Sequence, residues 1–110
     1  MLNITEKEFS QQIEDLFSIY HWHWCHFRPA RTEHGWRTAI SGYKGFVDYI
    51  AVRASEGGIA RLLFIELKSD KGVISPEQWE WLDLLELCPK VECYLWRPSD
   101  NIEEIVAILH

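Results

Sequence analysis

Two strand-like runs carry charged side chains where apolar ones belong. Leu62-Leu63-Phe64-Ile65-Glu66-Leu67-Lys68 reads as a buried strand interrupted by Glu66 and Lys68. Phe46 to Arg53 reads as a second strand, interrupted by Asp48. Side chains alternate along a strand, so Glu66 and Lys68 share one face. Ser55-Glu56-Gly57-Gly58 is a turn signal that joins the two runs as a hairpin. A turn centred on Gly57 sets Asp48 directly opposite Glu66, with Cβ atoms about 4.5–5.5 Å apart. Two carboxylates at that distance repel, and partial burial raises the cost of charging each. Either one holds a proton or a cation sits between them. Hard divalent ions such as Mg²⁺ and Mn²⁺ take carboxylate oxygens, and Mg²⁺ keeps waters that a substrate phosphate displaces. A lysine beside that cation can orient or deprotonate a water, or stabilise the charge of a phosphoryl transition state. The competing reading is an ion pair of Lys68 with Glu66 or Asp48 at a strand end.

The flanking elements bring further polar groups toward this patch. Thr5 followed by Glu8 is a capping box, and Phe9, Ile13, Leu16, Phe17 and Tyr20 recur at helical spacing, so a helix spans roughly residues 6–20. At about 100° per residue, Glu6 falls in the sector of the core side chains, which makes it a third candidate acid. An acid in a first turn also favours the helix dipole, so Glu6 has a purely structural reading too. Ser75-Pro76-Glu77-Gln78 caps a second helix that runs to about Leu87, and Gln78 shares an arc with Trp81, Leu82 and Leu85. Gln78 either completes the cap or aims its amide at the site, where it could bind a phosphate, a base edge or a water. His21 to Phe27 and Val91 to Trp96 read as strands. Pro29 to Gly45 reads as a long basic loop, and Ser99 or Asp100 caps a last helix ending near Leu109. The order α-β-β-β-α-β-α describes a mixed sheet flanked by helices, an α/β fold in one domain covering 1–110.

The array Glu6, Gly45-Phe46-Val47-Asp48, Glu66-Leu67-Lys68 and Ser75-Pro76-Glu77-Gln78 resembles the VRR-NUC nucleases of the PD-(D/E)xK superfamily. The likeness runs from Thr5-Glu6-Lys7-Glu8-Phe9 through His26-Phe27-Arg28-Pro29-Ala30 to Tyr94-Leu95-Trp96-Arg97-Pro98. It implies a restriction-endonuclease-like core in which Asp48 and Glu66 bind Mg²⁺ or Mn²⁺. It also implies that Lys68 positions the attacking water, Glu6 is the helix acid and Gln78 the glutamine of the site. Small stand-alone members are phage-associated and act as homodimers on branched DNA such as Holliday junctions. One departure is that Val47 stands where the family usually has proline; proline carries no chemistry there.

Composition is that of a globular chain, 47% hydrophobic and 25% charged, with a net charge of −6. No apolar stretch approaches the roughly 18 residues needed to span a bilayer, and no secretory signal opens the chain, so an intracellular protein is expected. The acidity is uneven. Residues 1–25 and 73–110 are net negative, whereas residues 26–72 carry eight basic against five acidic side chains. Arg28, Arg31, Arg37 and Lys44 in the loop are candidate DNA-backbone contacts, with His26 as a further one. Three cysteines without a CxxC indicate no disulfide framework, and His21, His23, Cys25 and His26 lack the second cluster a structural zinc site needs. The expected function is a metal-dependent DNA endonuclease. The alternatives are a catalytically silent nucleic-acid-binding or assembly module, or a nuclease acting on flap ends, single-strand ends or RNA.

Overall fold

A computed structural model describes residues 4–28, 30–37 and 40–110, with the side chains of residues 30–32 and 37 outside the description. Helix α1 (Glu6–Ile19) opens on the expected capping box: Glu8 N donates to Thr5 Oγ1 at 3.1 Å and Thr5 N to the Glu8 carboxylate at 3.3 Å. Its buried side is Phe9, Ile13 and Phe17. Strand β1 (His23–His26) is shorter than the run that suggested it, because His21 takes a left-handed turn (φ 63°) that ends the helix.

The stretch expected to be loop contains a small antiparallel hairpin, β2 (Ala30–Thr32) and β3 (Gly35–Arg37), which stands as its own sheet. Three-residue polar strands have no alternating apolar pattern to betray them; their backbone pairing alone forms the ladder. Strands β4 (Tyr49–Ala54) and β5 (Ala60–Leu67) form the expected hairpin, with Tyr49 opposite Ile65 and Ala54 opposite Ala60. Carried one pair past Tyr49, that register faces Asp48 toward Glu66. Phe46, Val47 and Asp48, however, lie outside β4 rather than in it. A parallel crossover through α2 (Pro76–Glu86) adds β6 (Val91–Trp96) beside β5. The sheet order is β1-β4-β5-β6, antiparallel except for the β5–β6 pair. The chain is therefore an α/β fold with a mixed four-stranded sheet and three helices.

The last helix, α3 (Ile102–Leu109), is capped by Asn101, one residue beyond the expected caps. Asp100 instead accepts from Arg97 N at 2.7 Å, and Ser99 N donates to Asp70, so both residues serve the preceding turn. One apolar cluster joins α1, α3 and the sheet through Phe9, Ile13, Phe17, Tyr49, Ile65 and Ile105. On the other side, Phe46 packs edge-on against Phe64 and Trp81. Two arginines of the basic middle region are spent on architecture. Arg53 donates to Leu109 O at 2.7 Å and Arg61 to Ile108 O at 2.8 Å, both with their guanidinium groups over the Trp22 ring, which holds the C-terminal end of α3. None of the described helices is long and apolar enough to cross a membrane.

Gly45 sets where the segment before β4 meets α2. It adopts φ +87°, and a Cβ there would lie 2.8 Å from Glu77 C and 2.9 Å from Gln78 N. Gly45→Ala combines left-handed strain with a backbone clash and is expected to cost about 2–4 kcal/mol, lowering Tm by roughly 10–25 °C. Gly42→Ala, at φ +98° but with nothing within 4 Å, should cost only about 1–2 kcal/mol. Thermal unfolding followed by circular dichroism checks the contrast; equal losses would mean that close approach to α2 does not matter.

Candidate active site

Asp48 and Glu66 meet at the end of the β4–β5 ribbon. Asp48 is held from two sides: its backbone carbonyl accepts from Phe27 N at 2.8 Å, and its Oδ2 accepts from Leu67 N at 2.8 Å. Glu66 is only 1% exposed although it is a carboxylic acid. Its Oε1 accepts from Gln78 Nε2 at 2.9 Å, while its Oε2 is buried with no hydrogen-bond partner among the described residues. Gln78 completes the expected cap and also turns its amide into the site, where it bonds the acid itself. Its Oε1 accepts from Ser75 N at 2.9 Å to complete the capping box, and its amide nitrogen reaches the acid.

The electrostatics follow from this burial. Desolvation, reinforced by the charge of Asp48, pushes the Glu66 carboxyl up to about 8 against the opposing pull of Lys68. Asp48 is also raised, chiefly by burial, with the Leu67 N–H opposing and the negative charge of Glu6 adding to the shift. The pair at neutral pH therefore holds a proton that a cation can replace. The orphaned Glu66 Oε2 and the anionic oxygens of Asp48 suit a hard divalent ion that carries its own waters.

Lys68 follows Glu66 at the strand end and is half-buried. Its backbone N donates to Trp96 O at 3.1 Å. Among the described residues no carboxylate oxygen lies within 4.0 Å of its ammonium, so the ion-pair reading of the Glu66-Leu67-Lys68 run is not what the side chains adopt. The loop after it is clamped by Arg97, whose Nη1 donates to Ser69 O and Gly72 O, each at 2.7 Å.

Glu6 is exposed at the start of α1 and lines a recess with Asp48, Lys7, His26 and Arg28. Its charge acts on both acids of the pair, yet it closes no cage: no three His, Cys, Asp or Glu side chains among the described residues converge to enclose a metal ion. His26 stacks on Tyr49 with ring centroids 4.1 Å apart, and its Nδ1 lies 3.2 Å from Glu14. Burial draws His26 below the usual imidazole range against the pull of Glu14, so the neutral ring accepts from Arg28 Nε at 3.2 Å. Tyr49 donates to the same Glu14 carboxylate at 2.5 Å. Glu14 and Tyr49 were not among the expected site residues, though Glu14 lies two helical turns beyond Glu6. Arg28 is exposed at this recess, whereas Lys44 lines a different one against α2 and lies 3.7 Å from Glu77. The side chains of Arg31 and Arg37 lie outside the described residues. The chain matches no protein-family model, no curated protein and no solved structure.

A carboxyl that keeps its proton to about pH 8 when folded, but only to the usual 4.5 when unfolded, stabilises the fold below the lower value. That contribution declines as pH rises from about 4.5 to 8, since the folded state then binds more protons than the unfolded one. Glu66→Gln should accordingly lose this slope and gain several degrees in Tm over wild type at pH 8, both in chelator. Parallel Tm–pH curves for the two proteins would show that Glu66 is not the titrating group.

Proposed function

We propose that this chain is a Mg²⁺- or Mn²⁺-dependent DNA endonuclease with a restriction-endonuclease-like core, acting inside the cell on branched duplexes. The observation that carries the reading is the buried, unpartnered Glu66 Oε2 beside Asp48, with Lys68 at the same strand end and outside any ion pair. Asp48 and Glu66 would hold the ion, and Gln78 fixes the Glu66 carboxylate so that one oxygen stays directed to it. The bound cation would supply charge neutralisation and a polarised phosphodiester. Lys68, one residue past β5 with its backbone N bonded to Trp96 O, orients the hydrolytic water and offers positive charge to the pentavalent phosphorus. Glu6 adds negative charge at the mouth of the site. Arg28 and His26 lie where the flanking phosphate backbone would pass, with Arg31 and Arg37 proposed to extend that contact and Lys44 to add a further one. A chain this small has little surface to embrace a duplex, which favours a homodimer with two sites for paired incisions at a four-way junction.

A second reading has its own observation. No third acidic side chain closes on the pair, and a carboxyl–carboxylate sharing one proton is then a structural element of a catalytically silent nucleic-acid-binding module. The two readings diverge in one experiment. Labelled junction, flap and linear DNA and RNA are incubated with Mg²⁺ or Mn²⁺, and Mn²⁺ binding is measured by calorimetry. The nuclease reading expects cleavage that falls at least about 100-fold in Lys68→Ala and Mn²⁺ binding that is lost in Asp48→Asn. Absence of cleavage by wild type, or cleavage unchanged in Lys68→Ala, would reject it.

A further inference from the structure

Asp48 and Phe27 form the wall between two recesses of different chemistry. One, of about 480 Å³, is the polar groove of Glu6, Lys7, His26 and Arg28. The other, of about 420 Å³, is aromatic, with Phe27, Tyr43, Phe46 and Trp81 around it and Ser41 and Gln78 as its polar edges. Its walls are rigid. Phe46 is held edge-on by Phe27 at 5.6 Å and by Trp81 at 4.8 Å, and the Trp81 indole N–H donates to Lys44 O at 3.0 Å. At its rim the Tyr43 ring is 85% exposed, the most exposed of the large hydrophobic side chains described.

We infer that this aromatic recess receives one unpaired nucleobase adjacent to the phosphate held at Asp48 and Glu66. The inference rests on the nuclease reading and adds a substrate feature to it. Continuity is the first argument: a group filling the recess touches the other side of Asp48, and in a nucleic acid a base lies one sugar away from each phosphate. Wall chemistry is the second. A base offers a flat π-face to aromatic rings and hydrogen-bonding atoms at its edge. Gln78 spends its carbonyl on Ser75 and one amide hydrogen on Glu66, which leaves the second amide hydrogen, with the Ser41 hydroxyl, for that edge. Access is the third. A paired base is locked in its stack and cannot enter a recess beside the scissile phosphate unless it is flipped out or already unpaired. Junction points, bulges and flaps supply such a base, and stacking tolerates any of the four. The recess would therefore make the enzyme select a DNA structure rather than a sequence.

The test uses the whole chain and two duplexes carrying 2-aminopurine, unpaired in a one-base bulge or paired with thymine, titrated in Ca²⁺ with fluorescence and anisotropy read together. Stacking on the aromatic walls should quench the bulged base on binding, whereas the paired one, already quenched by stacking in its duplex, should change little. Tyr43→Ala should weaken binding of the bulged duplex by between about fivefold and a hundredfold, with a smaller effect on the paired duplex, and Tyr43→Trp should restore it. Saturating binding without quenching, or equal weakening of both duplexes, overturns the inference and leaves the nuclease reading standing. Quenching that depends on Tyr43 without cleavage of any DNA in Mn²⁺ supports the base site and rejects the nuclease reading. No binding of either duplex overturns both. A shift from dimer to monomer in sedimentation of Tyr43→Ala, with quenching unchanged, also overturns it by assigning the recess to a second copy of the chain.

Discussion

Glu66 occupies a strand position whose neighbours Ile65 and Leu67 are buried apolar side chains, and its carboxylate accepts one hydrogen bond, from Gln78 on α2, where an ionised carboxylate wants several. A proton relieves this most simply, which is why burial and Asp48 drive the group toward the neutral form. The same deficit would favour the cation proposed for the site. A site that is costly to leave charged and empty binds whatever neutralises it, and the surrounding structure has then only to decide which species reaches it and in what geometry.

Most of the architecture near the pair can be understood as restricting that geometry. The β4–β5 register brings the two acids together, and the Leu67 N–H fixes Asp48 from the opposite strand. Gly45 lets the preceding segment touch the first turn of α2, the same turn that delivers Gln78 to Glu66. Arg97 ties down the turn that follows Lys68. These contacts come from every layer of the fold, so the acids are held by secondary structure and backbone hydrogen bonds rather than by one another. Such support is what a repulsive pair requires, because the pair itself contributes nothing to its own placement.

The parts that local rules govern were legible in the sequence. Thr5 with Glu8 and Ser75 with Gln78 mark their helix starts because a capping box is a short-range device. The Gly57 turn fixes the ribbon register, and with it the facing of Asp48 and Glu66. What escaped depends on tertiary contact. Asp48 lies outside the strand because Gly45 and α2 redirect the chain, and α3 begins at Asn101 because Asp100 is engaged by Arg97. The β2–β3 hairpin carries no hydrophobic period. Arg53 and Arg61 look like surface cations in the sequence, and only the packed C-terminal end of α3 shows where their charge is used. Glu14 is one acid among several on α1 until Tyr49 and His26 are folded against it.

The fate of those two arginines changes the electrostatic argument for a nucleic-acid partner. The basic surplus of the central region is three charges, and two of its cations, Arg53 and Arg61, are engaged by Trp22 and the end of α3, so the described side chains present no broad positive face. Its groove mixes Lys7 and Arg28 with Glu6 and the acid pair. With Glu14 also lining it, such a groove is slightly negative as it stands, and the proposed divalent ion would bring it close to neutral. For the proposed DNA partner, non-specific attraction, which grows with the number of phosphates neutralised, would then be weak. Discrimination would have to come instead from a few contacts near the reacting phosphate, where shape and stacking act over a base or two. An acidic protein of this design would be selective for a local DNA structure because it lacks the charge to hold DNA indiscriminately.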